Sequence, residues 1–251
     1  MSFISSASLL PTKYKGTLFI STWNRRRYGS PYIRHKKKVR ALYTQSNSSC
    51  VDYSLYLVAG AVDTRMIEAA LRGGVTLLQY RDKQNTTRDM IRIGTELFKI
   101  ARRFQIPFLL NDRVDVALAV DADGVHIGQD DMPLGIARKL LGKDKIIGVS
   151  VGNEEEARLA EQQGASYIGV GPIFATSSKP DAGNPIGLEA LKSIASAVST
   201  IPIVAIGGIN EHNASQCIAN GANGVAVISA ILSSNDPEKA ARNIRQRIPF
   251  L

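Results

Sequence analysis

Eight short apolar runs alternate with amphipathic stretches along the chain from Ser54 to the C-terminus. The runs are continuous rather than alternating, a pattern typical of parallel strands that are buried on both faces. Eight such strands, each followed by a helix, predict an α/β fold of the (β/α)8 TIM-barrel, phosphate-binding type. The predicted strands are Leu55–Val58, Val75–Tyr80, Pro107–Leu110, Gly124–Ile127, Ile146–Val151, Tyr167–Val170, Pro202–Ile206 and Val225–Ile228.

The stretches between these runs carry apolar residues at helical spacing. Gly73, Gly164 and Gly221 each end a predicted helix just before a strand, where a left-handed backbone conformation is favoured. One long loop, Phe174–Gly187, follows the sixth strand, and such a loop at the catalytic end of a barrel indicates a substrate clamp. The predicted helices are Asp63–Arg72, Thr87–Phe104, Asp115–Val120, Pro133–Leu141, Glu154–Gln163, Leu188–Val198, Asn213–Asn220 and Pro237–Gln246.

The net charge of +9 comes from the first 50 residues, which contain ten of the 31 Lys and Arg residues and no acidic residue. The rest of the chain carries 21 basic and 22 acidic side chains, so the barrel does not have the charge of a nucleic-acid-binding domain. We expect a disordered basic extension over residues 1–50 and a single catalytic barrel over residues 51–251.

The composition of this extension bears on where the protein is located. A Ser- and Thr-rich segment that contains Arg25–Arg27 and Lys36–Lys38 suits a plastid or mitochondrial transit peptide. An unstructured tail, or a start codon assigned too early, is the simpler interpretation and predicts a cytoplasmic protein. The sequence has no apolar run of about 18 residues, so no membrane span is predicted. The two cysteines, Cys50 and Cys217, match no metal-binding spacing.

Two acidic residues follow neighbouring predicted strands, Asp112 after the third and Asp131 just past the fourth. Adjacent strands lie about 5 Å apart, so both carboxylates can reach one cation. Mg²⁺ takes oxygen ligands and keeps water and substrate phosphate oxygens, so the pair predicts one Mg²⁺ per subunit. The competing interpretation makes Asp112 and Asp130 helix N-caps.

Cationic side chains accompany this acidic pair. Arg81 and Lys83 follow the second strand and predict an anion site, because Arg grips a phosphate through two parallel hydrogen bonds and Lys adds a point charge. Lys179, on the long loop, is placed to close over the same anion. The alternatives are an ion pair of Arg81 or Lys83 with Asp82, and a Lys179 that is simply solvated.

A second anion site is predicted near the end of the chain. Gly207 and Gly208 follow the seventh strand, and Ile228 and Ser229 follow the eighth. Loops at these two positions, with a helix N-terminus, form the phosphate site of many TIM barrels, and glycine lets backbone N–H groups approach the phosphate closely. The alternative for the glycines is a pair of tight turns.

Two anion sites, one with a metal, indicate a reaction that joins two phosphorylated small molecules. No activated nucleophile is evident, because Ser150 has no base assigned to it by the pattern. His126 lies inside the fourth strand and is expected in the core or supporting the site, and the three His are too scattered for zinc. We therefore expect a dissociative displacement with mainly electrostatic catalysis.

Seven motifs occur in order at the predicted strand ends. They are QYRDK at Gln79–Lys83, PFLLND at Pro107–Asp112, DGVHIGQDD at Asp123–Asp131, IGVS at Ile147–Ser150, GVGPIFAT at Gly169–Thr176, IVAIGGI at Ile203–Ile209 and GVAVIS at Gly224–Ser229. Together they resemble the thiamine phosphate synthase family. The resemblance extends from about residue 55 to residue 240, covering the barrel and none of the basic extension.

This resemblance implies a transferase of thiamine biosynthesis. The enzyme would condense 4-amino-2-methyl-5-(diphosphomethyl)pyrimidine with 4-methyl-5-(2-phosphoethyl)thiazole, or its carboxylated form, to give thiamine phosphate and release pyrophosphate. The loop reads Thr-Ser-Ser-Lys where the family commonly has Thr-x-Thr-Lys, and Ser178 keeps the hydroxyl.

The resemblance also implies roles for individual residues. Asp112 and Asp131 would ligate Mg²⁺. The residues implied in catalysis are Arg81, Lys83, Ser150 and Lys179. Those implied in binding the pyrimidine diphosphate are Gln79, Tyr80, Arg81, Asp82, Lys83, Asn111, Ser150 and Lys179. Those implied in binding the thiazole phosphate are Thr176, Ser177, Ser178, Gly208, Ile228 and Ser229.

Three other functions are weighed against this one. A thiazole tautomerase or regulator-like relative of the same fold tends to lack the metal and diphosphate residues, which this chain has. A sugar-phosphate isomerase or aldolase needs an acid–base pair or a Schiff-base lysine inside the barrel, where the sequence offers only His126. A non-enzymatic protein would bind RNA or anionic lipid through its basic tail. The expected partners are two phosphorylated small molecules, with neither nucleic acid nor membrane, and the choice between monomer and homo-oligomer stays open.

Overall fold

Eight parallel strands close into a barrel in chain order, with β8 pairing back onto β1. The computed structural model describes residues 51–178 and 183–249. This arrangement confirms the predicted (β/α)8 fold, whereas the basic extension and Lys179 lie outside the described residues. The strands are β1 Leu55–Ala59, β2 Leu77–Tyr80, β3 Phe108–Asn111, β4 Gly124–Ile127, β5 Ile146–Val151, β6 Tyr167–Val170, β7 Ile203–Ile206 and β8 Gly224–Val227.

The helices surround this barrel, and all eight predicted helices are present. One short helix, Ser229–Leu232, was not predicted, because four residues directly after an apolar strand carry no helical periodicity. Within the described residues, no helix has the length and apolar composition needed to cross a membrane. The helices are α1 Thr64–Arg72, α2 Thr87–Phe104, α3 Val114–Val120, α4 Leu134–Leu141, α5 Glu154–Gln162, α6 Gly187–Ala197, α7 Ala214–Ala219, α8 Ser229–Leu232 and α9 Pro237–Arg245.

The strands are mostly apolar because each of their two faces is buried against a different layer. In β1, Leu55 and Leu57 pack outward against the helices, whereas Tyr56 and Val58 point into the barrel. This alternation follows from the strand period of two residues. The inner cluster consists of Tyr53, Tyr56, Val58, Leu77, Leu109, Ile146, Tyr167, Val204 and Ala226.

The predicted left-handed conformation is wrong for Gly73, which has a φ of −75°. The next residue, Gly74, carries the positive φ of 104°, and Gly164 and Gly221 have positive φ as predicted. Gly73 is required for a steric reason instead. A Cβ on it would lie 2.3 Å from the Glu238 carbonyl oxygen and 2.6 Å from the Ala241 Cβ, so its absence lets α9 pack directly on the end of α1.

The half-buried Arg138 of α4 joins two loops at the amino ends of the strands. Its Nη1 donates to the carbonyl oxygens of Gly142 (3.1 Å) and Lys145 (2.5 Å), and its Nη2 donates to that of Gly164 (3.3 Å). Burial lowers the pKa of this guanidinium. The side chain thereby satisfies carbonyl groups that lead into β5 and β6, at the end of the barrel away from the carboxyl ends of the strands.

We expect Arg138→Met to lower the free energy of unfolding by about 1–3 kcal/mol, because the aliphatic stem remains while several carbonyl groups lose their donor. Urea denaturation measures this change. Lys139→Met is the matched control, since Lys139 is exposed on the same helix and should leave stability unchanged. Equal stability of the two variants would contradict a structural role for Arg138.

Candidate active site

A cavity of about 600 Å³ opens at the carboxyl ends of the strands, and every strand contributes at least one lining residue. This is the end of a TIM barrel at which active sites form. Most of the predicted site residues lie here together. Those lining the cavity are Gln79, Arg81, Asn111, Ser150, Thr176, Ser177, Ser178, Gly208, Ile228 and Ser229.

Lys83, Asp112 and Asp131 form a charged cluster linked to this cavity by Asn111. The Asn111 amide donates to Asp112 Oδ2 at 2.6 Å, and the Lys83 ammonium donates to the same oxygen. The Gly128 amide donates to Asp131 Oδ2 at 2.8 Å. The structure therefore brings together the two predicted metal ligands and two of the predicted diphosphate ligands, Lys83 and Asn111.

The two carboxyl groups of this cluster lie close enough to share a hydrogen bond. Burial raises the pKa of Asp112, and the neighbouring Asp131 adds to that rise, while Lys83 opposes it. Burial also acts to raise the pKa of Asp131, but hydrogen bonds from Asp112 and from the Gly128 amide outweigh it and lower that pKa. Two acids in such contact favour a bound cation, because their like charges otherwise repel each other.

The donor set of this cluster fits a hard divalent cation. Within the described part of the chain, no group of three or more His, Cys, Asp or Glu residues is arranged to hold a metal ion. The protein would thus supply two carboxylates and leave the other positions to water and substrate oxygens, which is the usual arrangement for Mg²⁺.

The interpretation of Asp112 and Asp130 as helix N-caps is wrong. Helix α3 begins after Arg113 and helix α4 begins after Pro133, and neither has a side-chain cap. Asp112 instead adopts a left-handed backbone with a φ of 60°, and its N–H donates to the His126 carbonyl oxygen at 2.7 Å. Left-handed residues other than glycine cluster at functional sites, which agrees with a ligand role.

The side chains of Tyr80 and Asp82 do not line the cavity. Tyr80 is buried in the layer between strands and helices, and its hydroxyl donates to Asp82 Oδ2 at 3.1 Å. Asp82 also accepts from the amides of Gln84 and Asn85, both at 2.9 Å, so it stabilises the turn after β2. Lys83 forms its ion pair with Asp112 and not with Asp82, the partner in the alternative interpretation.

The predicted phosphate site lies at a tight turn that glycine adopts without strain. Gly207 and Gly208 have φ values of 101° and 64°, and a Cβ on Gly208 would lie 2.5 Å from the Ala175 carbonyl oxygen. Asn213 holds this turn, because its Nδ2 donates to the Gly208 carbonyl oxygen at 3.0 Å and its Oδ1 accepts from the Asn210 amide at 2.8 Å. The glycines therefore form a tight turn and also line the cavity.

The loop after β6 meets α8 on this side of the cavity. The Ser178 hydroxyl donates to Ser229 Oγ at 2.9 Å, and the Ser178 amide donates to Thr176 Oγ1 at 3.2 Å. These contacts gather hydroxyl groups from two distant parts of the chain beside Gly208. They match the predicted grouping of residues for a second anion.

Ser150 has a histidine neighbour that the sequence pattern did not show. His126 Nε2 lies 2.9 Å from Ser150 Oγ, and His126 Nδ1 lies 2.8 Å from the Tyr167 hydroxyl. The third group is thus a tyrosine and not a carboxylate, so the arrangement differs from a Ser-His-Asp triad. His126 also lines the cavity, and its supporting role there stays a prediction.

Several lining residues were not identified from the sequence. Tyr56, Tyr167 and Gln129 line the cavity, and Gln129 Nε2 donates to the Ser150 carbonyl oxygen at 2.6 Å. The two tyrosines occupy inward positions of apolar strands, where they read as core residues. The strand period of two residues could have identified them, since it places Tyr56 on the opposite face from Leu55 and Leu57.

Comparisons with known proteins identify the family of this chain. The family model described as thiamine monophosphate synthase matches residues 55–231. A thiamine-phosphate synthase of Chloroflexus aurantiacus is 54% identical over 201 residues, covering 78% of this chain and 92% of that protein. A thiamine-phosphate synthase of Moorella thermoacetica is 50% identical over 200 residues, covering 77% of this chain and 95% of that protein.

Solved structures give the same result. The thiamine phosphate pyrophosphorylase of Pyrococcus furiosus superposes with a TM-score of 0.72 at 42% identity, covering 78% of this chain and 96% of that one. A 3-hexulose-6-phosphate synthase of Salmonella typhimurium superposes with a TM-score of 0.59 at 19% identity and shares the fold alone. The sequence match and the structural match cover the same barrel. The chain belongs to the thiamine monophosphate synthase family.

Proposed function

We propose that this chain joins the pyrimidine diphosphate to the thiazole phosphate to form thiamine phosphate, with release of pyrophosphate. One observation supports this proposal best. The charged cluster follows β2, β3 and β4, and the glycine and serine residues follow β6, β7 and β8. In a closed ring of eight strands these groups lie on opposite sides of the mouth, so one cavity can hold two phosphorylated molecules.

The diphosphate would bind on the side of the charged cluster. Arg81 and Lys83 provide positive charge, and Asn111 and Ser150 provide neutral hydrogen-bonding groups. A Mg²⁺ ion held by Asp112 and Asp131 would neutralise charge that develops on the diphosphate as it leaves. The proposed contact of Lys179 with the same diphosphate lies outside the described residues and stays a prediction.

The thiazole phosphate would bind on the opposite side. Ser178 and Ser229 supply hydroxyl groups, and the turn at Gly207 and Gly208 allows a phosphate to approach the backbone. This placement directs the thiazole ring toward the middle of the cavity, between the two anion sites. Positioning of two reactants in this way contributes much of the rate enhancement in a bimolecular reaction.

The reaction itself needs no protein nucleophile. The bond between the pyrimidine methylene carbon and the diphosphate oxygen breaks, and the diphosphate leaves with the electron pair. The thiazole nitrogen then donates its lone pair to the methylene carbon. Apolar lining residues such as Val58, Val204 and Ala226 keep water away from this carbon, which protects the cation-like centre from hydrolysis.

The tautomerase or regulator-like alternative is not favoured, because the diphosphate and metal residues are present and the relatives are named as synthases. A sugar-phosphate aldolase role is also not favoured. The cavity lining within the described residues contains no lysine that could form a Schiff base.

We expect the purified chain to form thiamine phosphate and pyrophosphate in equal amounts when it is given both substrates and Mg²⁺. Chelation of the metal should abolish turnover, and restored Mg²⁺ should recover it. An end-point assay of both products measures this. A folded protein that binds thiazole phosphate but forms no product would instead support the tautomerase or regulator-like alternative.

We expect Asp112→Asn and Asp131→Asn each to lower kcat on the order of a hundredfold or more, since each change removes an anionic ligand. Asp112→Asn should unfold at or above the wild-type temperature, because it neutralises the acid whose pKa is raised, whereas Asp131→Asn should stay folded but unfold at a slightly lower temperature, because the fold stabilises the ionised form of Asp131. Asp130→Asn is the matched control, as Asp130 is an exposed neighbour of the cluster. Loss of folding in either test variant, with the control folded, would assign these acids a structural role.

We expect Asn213→Ala to raise the KM for thiazole phosphate about fivefold with little change in kcat, because the turn at Gly208 loses a hydrogen bond worth about 1 kcal/mol. Steady-state kinetics with each substrate varied in turn measures this. Asn220→Ala, which removes a hydrogen bond of similar type at the end of α7, is the control. An equal rise in the KM for the pyrimidine substrate would contradict the assignment.

A further inference from the structure

A chain of hydrogen bonds crosses the interior of the barrel from β2 to β5. Gln79 Nε2 donates to the Tyr56 hydroxyl at 2.5 Å, and the Tyr56 and Tyr167 hydroxyl oxygens lie 2.9 Å apart. The Tyr167 hydroxyl lies 2.8 Å from His126 Nδ1, and His126 Nε2 lies 2.9 Å from Ser150 Oγ. This chain of hydrogen bonds therefore ends on Ser150, which faces the cavity.

Burial removes water as a partner for the middle of this chain. Tyr56 is 2% exposed and Tyr167 is fully buried, so their hydroxyl groups depend on protein partners. Burial also raises the pKa of both hydroxyls, which keeps each one protonated as a donor. Among the described residues, the hydrogen bonds that these two hydroxyls form are those of this chain.

The direction of each bond follows from the first one. An amide nitrogen can only donate, so the Tyr56 oxygen accepts from Gln79. The Tyr56 proton then has the Tyr167 oxygen as its acceptor, and the Tyr167 proton has His126 Nδ1 as its acceptor. His126 Nδ1 consequently carries no hydrogen, and the hydrogen of the neutral ring lies on Nε2.

The opposite direction leaves a buried group without a partner. If His126 carried its hydrogen on Nδ1, Tyr167 would donate to Tyr56, and the Tyr56 oxygen would accept from both sides. The proton of Tyr56 would then have no acceptor among the residues that the structure describes, an arrangement that native proteins rarely keep. The burial of Tyr56 therefore fixes the direction of donation in every hydrogen bond from Gln79 to Ser150.

We propose that Tyr56, Tyr167 and His126 are positioning residues that orient the Ser150 hydroxyl as a donor into the cavity. With His126 Nε2 donating to Ser150 Oγ, the Ser150 proton is directed away from the ring and toward a bound anion. This inference rests on the proposed function for its chemical meaning, since the anion would be the departing diphosphate. A donor fixed before the reaction needs no reorientation as charge develops there.

Tyr53 provides a matched control within the same cluster. Its ring centroid lies 4.9 Å from that of Tyr167, and the side chain is 5% exposed. Its buried hydroxyl forms no hydrogen bond with any of the described residues. Tyr53→Phe therefore removes a hydroxyl from the same aromatic cluster without touching the chain.

The first test is a double-mutant cycle. We expect Tyr167→Phe to lower kcat about tenfold in the wild type, and to have less than a twofold effect in the Ser150→Ala background, because the chain then has nothing to orient. Tyr53→Phe should leave kcat unchanged in both backgrounds. A tenfold loss that persists in Ser150→Ala, or an equal loss in Tyr53→Phe, would show a general packing effect and overturn the proposal.

The second test reads the proton order directly. In protein labelled with nitrogen-15 at histidine, we expect His126 to be neutral with its hydrogen on Nε2, and Tyr167→Phe to move this ring toward a mixture of tautomers. The loss of its signals in His126→Gln assigns them. A hydrogen on Nδ1 in the wild type would overturn the proposal. This measurement needs no substrate, so absent synthase turnover would overturn the proposed function alone and leave the proton order decided.

Discussion

The interior of an eight-stranded barrel is filled by side chains, so a polar group that points inward must find a protein partner or reach the open mouth. This constraint governs the active site. Tyr56 and Tyr167 lie at the bottom of the cavity with almost no exposed surface, and among the described residues their hydroxyls bond to Gln79, to each other and to His126. The same requirement that completes the core therefore also orders the hydrogen bonds that reach Ser150.

The mouth of the barrel divides into two sides of different chemistry. On one side, side-chain charges dominate, and the repulsion between Asp112 and Asp131 is offset in part by Lys83. On the other side, the turn at Gly207 and Gly208 offers backbone groups and nearby hydroxyls. One cavity therefore has two chemically different sides, one formed by charged side chains and the other by backbone and hydroxyl groups.

Most of the fold could be predicted from the sequence because apolar runs and helical periods are local properties. All eight strands follow from short continuous apolar runs, and α2 over Thr87–Phe104 follows from its helical period. Two features did not follow. The short helix α8 has too few residues to show a period, and the contact of Gly73 with α9 joins residues far apart in the chain.

The sequence by itself determined which residues end the strands, and therefore that acids, cations and glycines collect at one end of the barrel. Tertiary structure decided how those side chains meet. In the folded protein Tyr80 packs toward the helices, and Lys83 pairs with Asp112 and not with Asp82. Tertiary structure also placed His126 against Ser150, a pair 24 residues apart. Strand register and barrel closure set these contacts, because they depend on distances between strands that no local pattern encodes.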